Sequence, residues 1–270
     1  MLAVPRLGRV LKVAMVLVAI FGVGGGLLWS AVPGGQSVLV NWLFCNPAMV
    51  LSRPWTLVTA GLCTNPESYG HLVVTLLGLY FLGPDLERRW GGARFARLLL
   101  ISVVAGFVLS AALDALAPGQ ARLFHPPVMF GTGAALSALA TAWSRENPGA
   151  QIRLFFFLPV SGKALLWVTL GFCALGLVYP AGVPEGVASP FGGVIAGLLL
   201  GGTPSPLRTL YLRGKLAVLR RGSPPMRIDL GPERPVRRAR AGGPELRVVP
   251  GGLGDERDKP RGARDKRYLN

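Results

Sequence analysis

Long apolar segments alternate with short polar ones along the chain up to residue 202. An apolar run of about 20 residues is long enough to cross a bilayer as a helix. The first such run, Val13 to Val32, has that length, and no clear cleavage site follows it, which predicts an uncleaved membrane helix rather than a signal peptide. Five more helices are predicted, the fourth and sixth being short for a full span: 71–83, 95–116, 129–143, 163–178 and 187–202.

The polar connections between these segments predict where the membrane domain ends. Residues 33–70 form a long outer loop rich in Gly, Pro, Asn and Trp, which we expect to be partly embedded at the headgroup level, where Trp is enriched. Charged residues at 83–92 predict a turn. After residue 202 the chain is basic and rich in Pro and Gly, and it cannot bury enough apolar area to fold alone. We therefore expect a membrane domain at 1–202 and a disordered basic cytoplasmic tail at 203–270, with one amphipathic helix at 209–221.

The composition and the distribution of charge change this picture in one respect, the topology. The chain is 51% hydrophobic and 16% charged with a net charge of +16, and its apolar content is typical of membrane proteins. Of its 29 Lys and Arg residues, 27 fall in 1–12, in 84–94 with the start of the third helix, in 144–163, or after 202. The positive-inside rule then places both termini in the cytoplasm, and we expect a bacterial inner membrane. Because topology accounts for the charge, no specific nucleic-acid partner is expected.

Cysteine and histidine offer little metal or redox chemistry. The three cysteines match no zinc spacing and there are two histidines, so we expect neither a metal nor a cofactor. Cys45 and Cys63 both lie in the predicted outer loop, and the sequence leaves open whether they form a disulfide or two free thiols.

Two of the predicted helices carry small residues at every fourth position. Faces of this kind let helices approach closely inside a membrane. We expect the fourth and sixth helices to pack through them, which would leave Thr132 and Pro190 at the upper ends of the pair. The two faces are Gly133, Ser137 and Thr141 on the fourth helix, and Gly193, Gly197 and Gly201 on the sixth.

Five short motifs follow one another between Arg53 and Gly202. They resemble, in order, the tryptophan motif, the HxxxN opening, the GxxxExxxG turn, the GxSGA helix start and the HxGGxxxG helix of the rhomboid family of intramembrane serine proteases. The resemblance implies an all-α, six-transmembrane-helix bundle that takes part in intramembrane proteolysis by a serine-type endopeptidase mechanism. The motifs here are Pro54-Trp55-Thr56, His71 with Thr75, Gly83 and Glu87 followed by Gly91 or Gly92, Gly131-Thr132-Gly133, and Pro190 with Gly193 and Gly197.

The departures from the family pattern fall on the residues of the chemistry. The resemblance implies that Thr132 stands at the nucleophile position, Pro190 at the general-base position, and His71 with Thr75 on the oxyanion side. A hydroxyl nucleophile is weak unless an adjacent base takes its proton, and proline has no side-chain acceptor. The extra methyl group of threonine also crowds attack on a carbonyl.

Two histidines are alternative bases. His125 precedes Thr132 by seven residues in an outer loop, where a loop role is the simpler interpretation, and His71 would have to change the role that the family gives it. A base must lie within hydrogen-bond reach of the hydroxyl whose proton it accepts.

Two functions follow from these residues. The first is an inactive rhomboid-like pseudoprotease that binds transmembrane helices of client proteins in the lipid bilayer. The second is an active endopeptidase that uses Thr132 with an unconventional base. A small-molecule transporter is disfavoured, because the helices carry almost no charge and show no internal repeat.

Overall fold

Helices occupy each of the six predicted apolar segments. The computed structural model describes residues 7–116, 127–154, 158–180 and 183–222, which fall in one compact unit ending at Gly222. The helices are α1 (Arg9–Ala31), α2 (Gly35–Val38), α3 (Thr56–Thr59), α4 (Tyr69–Trp90), α5 (Gly92–Leu116), α6 (Gly133–Glu146), α7 (Gly162–Val178), α8 (Ser189–Leu200) and α9 (Pro206–Gly222).

Two helices of the described part are long and apolar enough to cross a bilayer. They are α1 and the segment Gly92–Leu113 of α5, while α7 and α8 are shorter apolar helices. The count of six membrane spans and the domain boundary at residue 202 stay predictions. His125 and the tail beyond Gly222 lie outside the described residues, whereas α9 covers the amphipathic segment predicted at 209–221.

The predicted turn at 83–92 is wrong, because α4 continues through Pro84 to Trp90. Its last two turns are held by polar contacts: Asp85 forms ion pairs with Arg88 at 3.0 Å and with Arg89 at 3.1 Å. The indole N–H of Trp90 donates to Glu146 at the end of α6 at 3.0 Å. The chain turns only at Gly91, whose φ of +78° favours glycine.

The GxxxExxxG motif docks α1 onto α4. Glu87 is buried, and its two carboxylate oxygens accept the backbone N–H groups of Val10 at 2.9 Å and Leu11 at 3.0 Å. These N–H groups open α1 and have no partner within that helix, so a carboxylate suits them in both geometry and charge. One turn earlier, a Cβ on Gly83 would lie 2.7 Å from Leu11 Cδ1. The glycine therefore leaves room for α1.

Helices α6 and α8 run parallel and in close contact. A Cβ on Gly193 would overlap the carbonyl group of Ala134, and one on Gly197 would lie 2.7 Å from the Ala138 carbonyl oxygen. Further along, a Cβ on Gly201 would lie 3.1 Å from Ala142 Cα. The matching four-residue steps on both helices set their N-termini side by side.

The small face predicted on the fourth helix is therefore displaced by one residue. Ala134, Ala138 and Ala142 face the glycines of α8, and of the three residues expected there Thr141 alone is among their nearest neighbours, beside Gly197. The sequence carries two adjacent small faces, and the alanine face makes the contact. On the other side of α8, a Cβ on Gly192 would lie 2.7 Å from Gly106 Cα, so α8 is wedged between α5 and α6.

The described residues are mostly helical, as predicted, and a small two-stranded antiparallel hairpin lies between α6 and α7. Strand β1 (Gln151–Leu154) pairs with β2 (Leu158–Ser161), with Gln151 opposite Ser161. No strand is predicted from the sequence in this segment, which lies between the fourth and fifth predicted helices. Polar and apolar residues alternate in Gln151-Ile152-Arg153-Leu154, which is the period of a strand.

Candidate functional site at the start of helix α6

An extended segment leads into α6 and is fixed from three sides. Met129 exchanges two backbone hydrogen bonds with Cys45, at 2.7 and 2.8 Å. The N–H of Phe130 donates to Pro184 at 3.2 Å, and that of Gly131 donates to Ala60 at 2.9 Å. These contacts explain why α6 begins at Gly133, four residues later than predicted.

Thr132 forms the N-terminal cap position of α6, and its hydroxyl is buried against Thr75. The two Oγ1 atoms are 2.8 Å apart, within hydrogen-bonding distance, and the residues are 3% and 0% exposed. Thr75 projects from α4, one turn after His71. The structure thus brings together the two threonines that the family resemblance singled out.

Pro190 lies in the first turn of α8, directly after the fully buried Ser189. A proline fits this position because the first N–H groups of a helix need no partner within it. The parallel contact between Gly193 and Ala134 sets the starts of α8 and α6 at the same level. The pyrrolidine ring of Pro190 has no group that accepts a proton.

His71 is committed to the backbone of the preceding loop. Its Nδ1 accepts the N–H of Asn65 at 3.0 Å. Within the described part of the chain, no hydrogen bond joins the His71 ring to the Thr132 hydroxyl, whose side-chain partner is Thr75. The structure does not bring these two residues together as an acid–base pair.

Glu185 is the site residue that the sequence reasoning missed. It lies in the connection between α7 and α8, is 6% exposed, and has its carboxyl group beside the backbone of Gly133. A Cβ on Gly131 or on Gly133 would overlap its carboxyl group. The carboxyl group therefore lies against the backbone on both sides of Thr132. Its Oε2 atom is buried without a hydrogen-bond partner.

Burial and hydrogen bonding act on the Glu185 carboxyl group in opposite directions. Desolvation raises its pKa to about 7, against the lowering effect of the Gly133 N–H. Burial disfavours the charged form of an acid, while a donor stabilises it. Near neutral pH both protonation states of Glu185 are therefore populated.

The sequence places Glu185 in a loop between two helices, where neither spacing nor a motif indicates a role. What places it at Thr132 is the fold: the hydrogen bond from Phe130 to Pro184 pulls the α7–α8 connection over the start of α6. The available signal was an acid in an otherwise apolar outer connection, five residues before Pro190.

The tryptophan motif contributes to the exposed surface of the 33–70 connection. Trp55 stacks on Trp42 with ring centroids 6.1 Å apart, and its indole N–H donates to the Trp42 carbonyl group at 3.2 Å. Arg53 lies over the other aromatic ring of this pair, 5.1 Å from the Trp42 centroid. Both tryptophans are about half exposed, as expected of residues at the headgroup level.

Cys45 and Cys63 are free and buried, which answers the question that the sequence left open. Burial raises the pKa of the Cys45 thiol to about 11 and that of Cys63 to about 12, so both stay protonated at neutral pH. In the described ranges, no group of three or more His, Cys, Asp or Glu residues could hold a metal ion.

The geometry and the motifs define a class of protein. The chain matches the Rhomboid domain over residues 52–206, which is more than half of its length. The protein belongs to the rhomboid family and is an integral membrane protein.

The chain is similar to RHOMBOID-like protein 12, mitochondrial, from Arabidopsis thaliana. The two are 27% identical over 153 residues, which cover 50% of this chain and 45% of the relative. The chain thus spans about half the length of the curated relative that it matches.

Proposed function

We propose that this rhomboid-family protein is a pseudoprotease that binds the transmembrane helices of client proteins instead of cleaving them. The observation that carries the proposal is the pair of hydroxyls at the start of α6. Thr132 Oγ1 is 2.8 Å from Thr75 Oγ1, and Pro190 in the first turn of α8 offers no base. An unactivated hydroxyl is a poor nucleophile.

Helix binding is supported by the apolar side chains that α7 presents at the surface. Trp167 is 73% exposed and Phe172 is 70% exposed, the largest values for aromatic side chains of the apolar helices. In a membrane such side chains contact lipid or another helix, and close helix–helix packing needs no polar group. We expect client helices to contact α7.

A reporter that contains one transmembrane helix tests the absence of proteolysis. The purified protein in detergent or liposomes should leave the reporter intact, and a fluorophosphonate probe should not label Thr132. The Thr132→Ala variant is the control, since it removes the hydroxyl. Cleavage by the natural sequence that stops in Thr132→Ala would overturn the proposal.

Site-specific photo-cross-linking tests the binding of helices. A photoreactive amino acid at Trp167 on α7 should give discrete protein adducts in membranes. The same residue at Ile20 on α1, which is 59% exposed, is the matched control for contact with lipid alone. Adducts that are absent at Trp167, or equal at the two positions, would count against client binding through α7.

The rival function is an active endopeptidase, and one observation favours it. The carboxyl group of Glu185 has a pKa of about 7 and lies beside the backbone that carries Thr132, which are properties of a general base. However, within the described residues the Thr132 hydroxyl binds Thr75, and no hydrogen bond joins it to Glu185. This rival predicts cleavage that Glu185→Gln abolishes.

The orientation in the membrane is proposed from the charge. Arg9, Arg88 and Arg145 lie near the ends of α1, α4 and α6 that are remote from Thr132, and the positive-inside rule makes that end cytoplasmic. The relative is named as mitochondrial, which lends no support to a bacterial inner membrane for this chain. We therefore propose cytoplasmic or matrix-side termini. Labelling of single cysteines from either side of sealed vesicles tests this proposal.

A further inference from the structure

The start of α6 has the properties of an anion-binding site. The helix is 14 residues long, and its first N–H groups point towards the segment that ends at Thr132. Helix N-termini carry a partial positive charge and free donors, which attract anions. The second observation is the carboxyl group of Glu185, which is buried and, among the described residues, has no hydrogen-bond partner at Oε2.

We propose that the N-terminus of α6 is an anion-binding site which the chain fills with its own carboxyl group, that of Glu185, so that no peptide carbonyl can be held beside Thr132. This inference rests on the proposed lack of proteolysis and adds a second cause for it, independent of Pro190. In acyl transfer, backbone N–H groups at such a position hold the oxyanion that develops on the substrate. Here the Glu185 carboxyl group already occupies the space beside Gly131 and Gly133.

The two glycines that flank Thr132 make room for this carboxyl group. A side chain at Gly131 or Gly133 would overlap Glu185, and the φ of +138° at Gly131 also favours glycine. The hydrogen bond from Phe130 to Pro184 fixes the connection one residue before Glu185. The backbone on both sides of Thr132 therefore leaves a space that the Glu185 carboxyl group fills.

One consequence separates this proposal from a missing catalytic dyad. If the lack of a base were the only defect, Thr132→Ser with Pro190→His would restore cleavage. If Glu185 also fills the site, that double variant stays blocked until the carboxyl group is removed as well.

A stability cycle tests where the carboxyl group lies, without any need for activity. Gly133→Ala should lower the unfolding midpoint and the yield of folded protein in the natural background, because the new methyl group meets Glu185. In the Glu185→Ala background the same substitution should have no cost, since alanine favours a helix. If Gly133→Ala does not fold alone, recovery of folded protein in the double variant is the measure.

Gly193→Ala is the matched control for this cycle. Its methyl group would meet the backbone of Ala134, so Glu185→Ala should not rescue it. An effect of Gly133→Ala that is the same in both backgrounds would overturn the proposal, as would full tolerance of Gly133→Ala in the natural background.

Cleavage of the helix reporter tests the block itself. Adding Glu185→Ala to the Thr132→Ser, Pro190→His variant should raise cleavage about 100-fold, the lower range for one oxyanion donor. Glu67→Ala, which removes an exposed acid of the 33–70 connection, should leave cleavage unchanged. Equal cleavage with and without Glu185, including none in either, would overturn the block. The proposed function fails separately, if the natural sequence cleaves.

Discussion

At the scale of single residues, the polar groups of the site are directed at the protein itself. Thr132 is joined to Thr75, and the Glu185 carboxyl group lies against the backbone of Gly131 and Gly133. His71 serves the loop through Asn65. A catalytic site instead needs donors and bases that are directed at the substrate. This inward pairing supports the proposal that the protein does not cleave its clients.

The pair of threonines gives the first prediction. Thr75→Val keeps the shape of the side chain but leaves the buried Thr132 hydroxyl without its partner, which should cost about 1–3 kcal/mol of unfolding free energy. Replacing both threonines by valine removes the two polar groups together and should be nearly neutral. Chemical unfolding in detergent micelles measures both. A double variant that loses the sum of the two single effects would show that the hydroxyls do not interact.

Glu185 gives a prediction for pH. Its pKa of about 7 in the folded protein exceeds the ordinary glutamate value of 4.5, so folding favours the protonated form. Stability from this group is complete below about pH 4 and is lost as the pH rises through about 7, by roughly 3 kcal/mol in total. Glu185→Gln cannot titrate, so the natural protein should lose stability relative to this variant between these pH values. A difference that does not change with pH would contradict the raised pKa.

At the scale of the elements, apolar length and spacing predicted the positions of the helices well, and the ends less well. The α1 segment was correct within a few residues because nothing polar interrupts it. The predicted end of α4 was wrong because the charged residues after Gly83 find partners within the helix or on α1: Asp85 pairs with Arg88 and Arg89, and Glu87 binds the start of α1. Without knowledge of their partners, these charged residues indicate a turn. Their contacts in the folded protein show that they belong to the last turns of α4.

In the candidate site, too, the sequence predicted the residues that belong to helix motifs and missed the residue that depends on tertiary contacts. The motif residues Thr132 and Thr75 were found because their spacing within two helices resembles the family. Glu185 could not be found, since its contact with Gly131 and Gly133 joins a connection to a helix start some 50 residues away and depends on how both are folded. Two small faces on α6 differ by one residue, and which of them contacts α8 is likewise known only from the packing of the two helices.

The contact between α6 and α8 predicts a large effect of a small change. Gly197→Leu should prevent stable folding or cost more than about 3 kcal/mol, because its side chain would enter the backbone of Ala138 and the side chain of Thr141. Gly171→Leu on α7 is the matched control, since a Cβ there meets nothing within 4 Å. Yield of folded protein and thermal unfolding measure both variants. A comparable loss at Gly171 would show that the cost is not one of packing.

At the scale of the whole described unit, polar contacts also join the helix ends that are remote from Thr132. Arg94 lies over Trp90, 4.3 Å from the ring centroid, and donates to the Leu200 carbonyl group at 3.1 Å. A cation at the C-terminus of α8 is favourable because the last carbonyl groups carry partial negative charge. Thr203 donates to Glu146 at 2.9 Å at the same end, just before α9. These contacts connect the ends of α4, α6 and α8 with the start of α5 at the positively charged end.

Helix α9 should lie on the membrane surface at that end. Leu207, Leu210 and Tyr211 share one face and are 48%, 60% and 67% exposed, while Arg213 lies off that face. Basic residues are attracted to anionic headgroups by about 1 kcal/mol each, and the apolar face can insert below them. A bimane fluorophore on a cysteine at position 210 should be quenched by brominated lipid in anionic vesicles more strongly than one at position 213. Equal quenching at the two positions would show that α9 does not rest on the bilayer through this face.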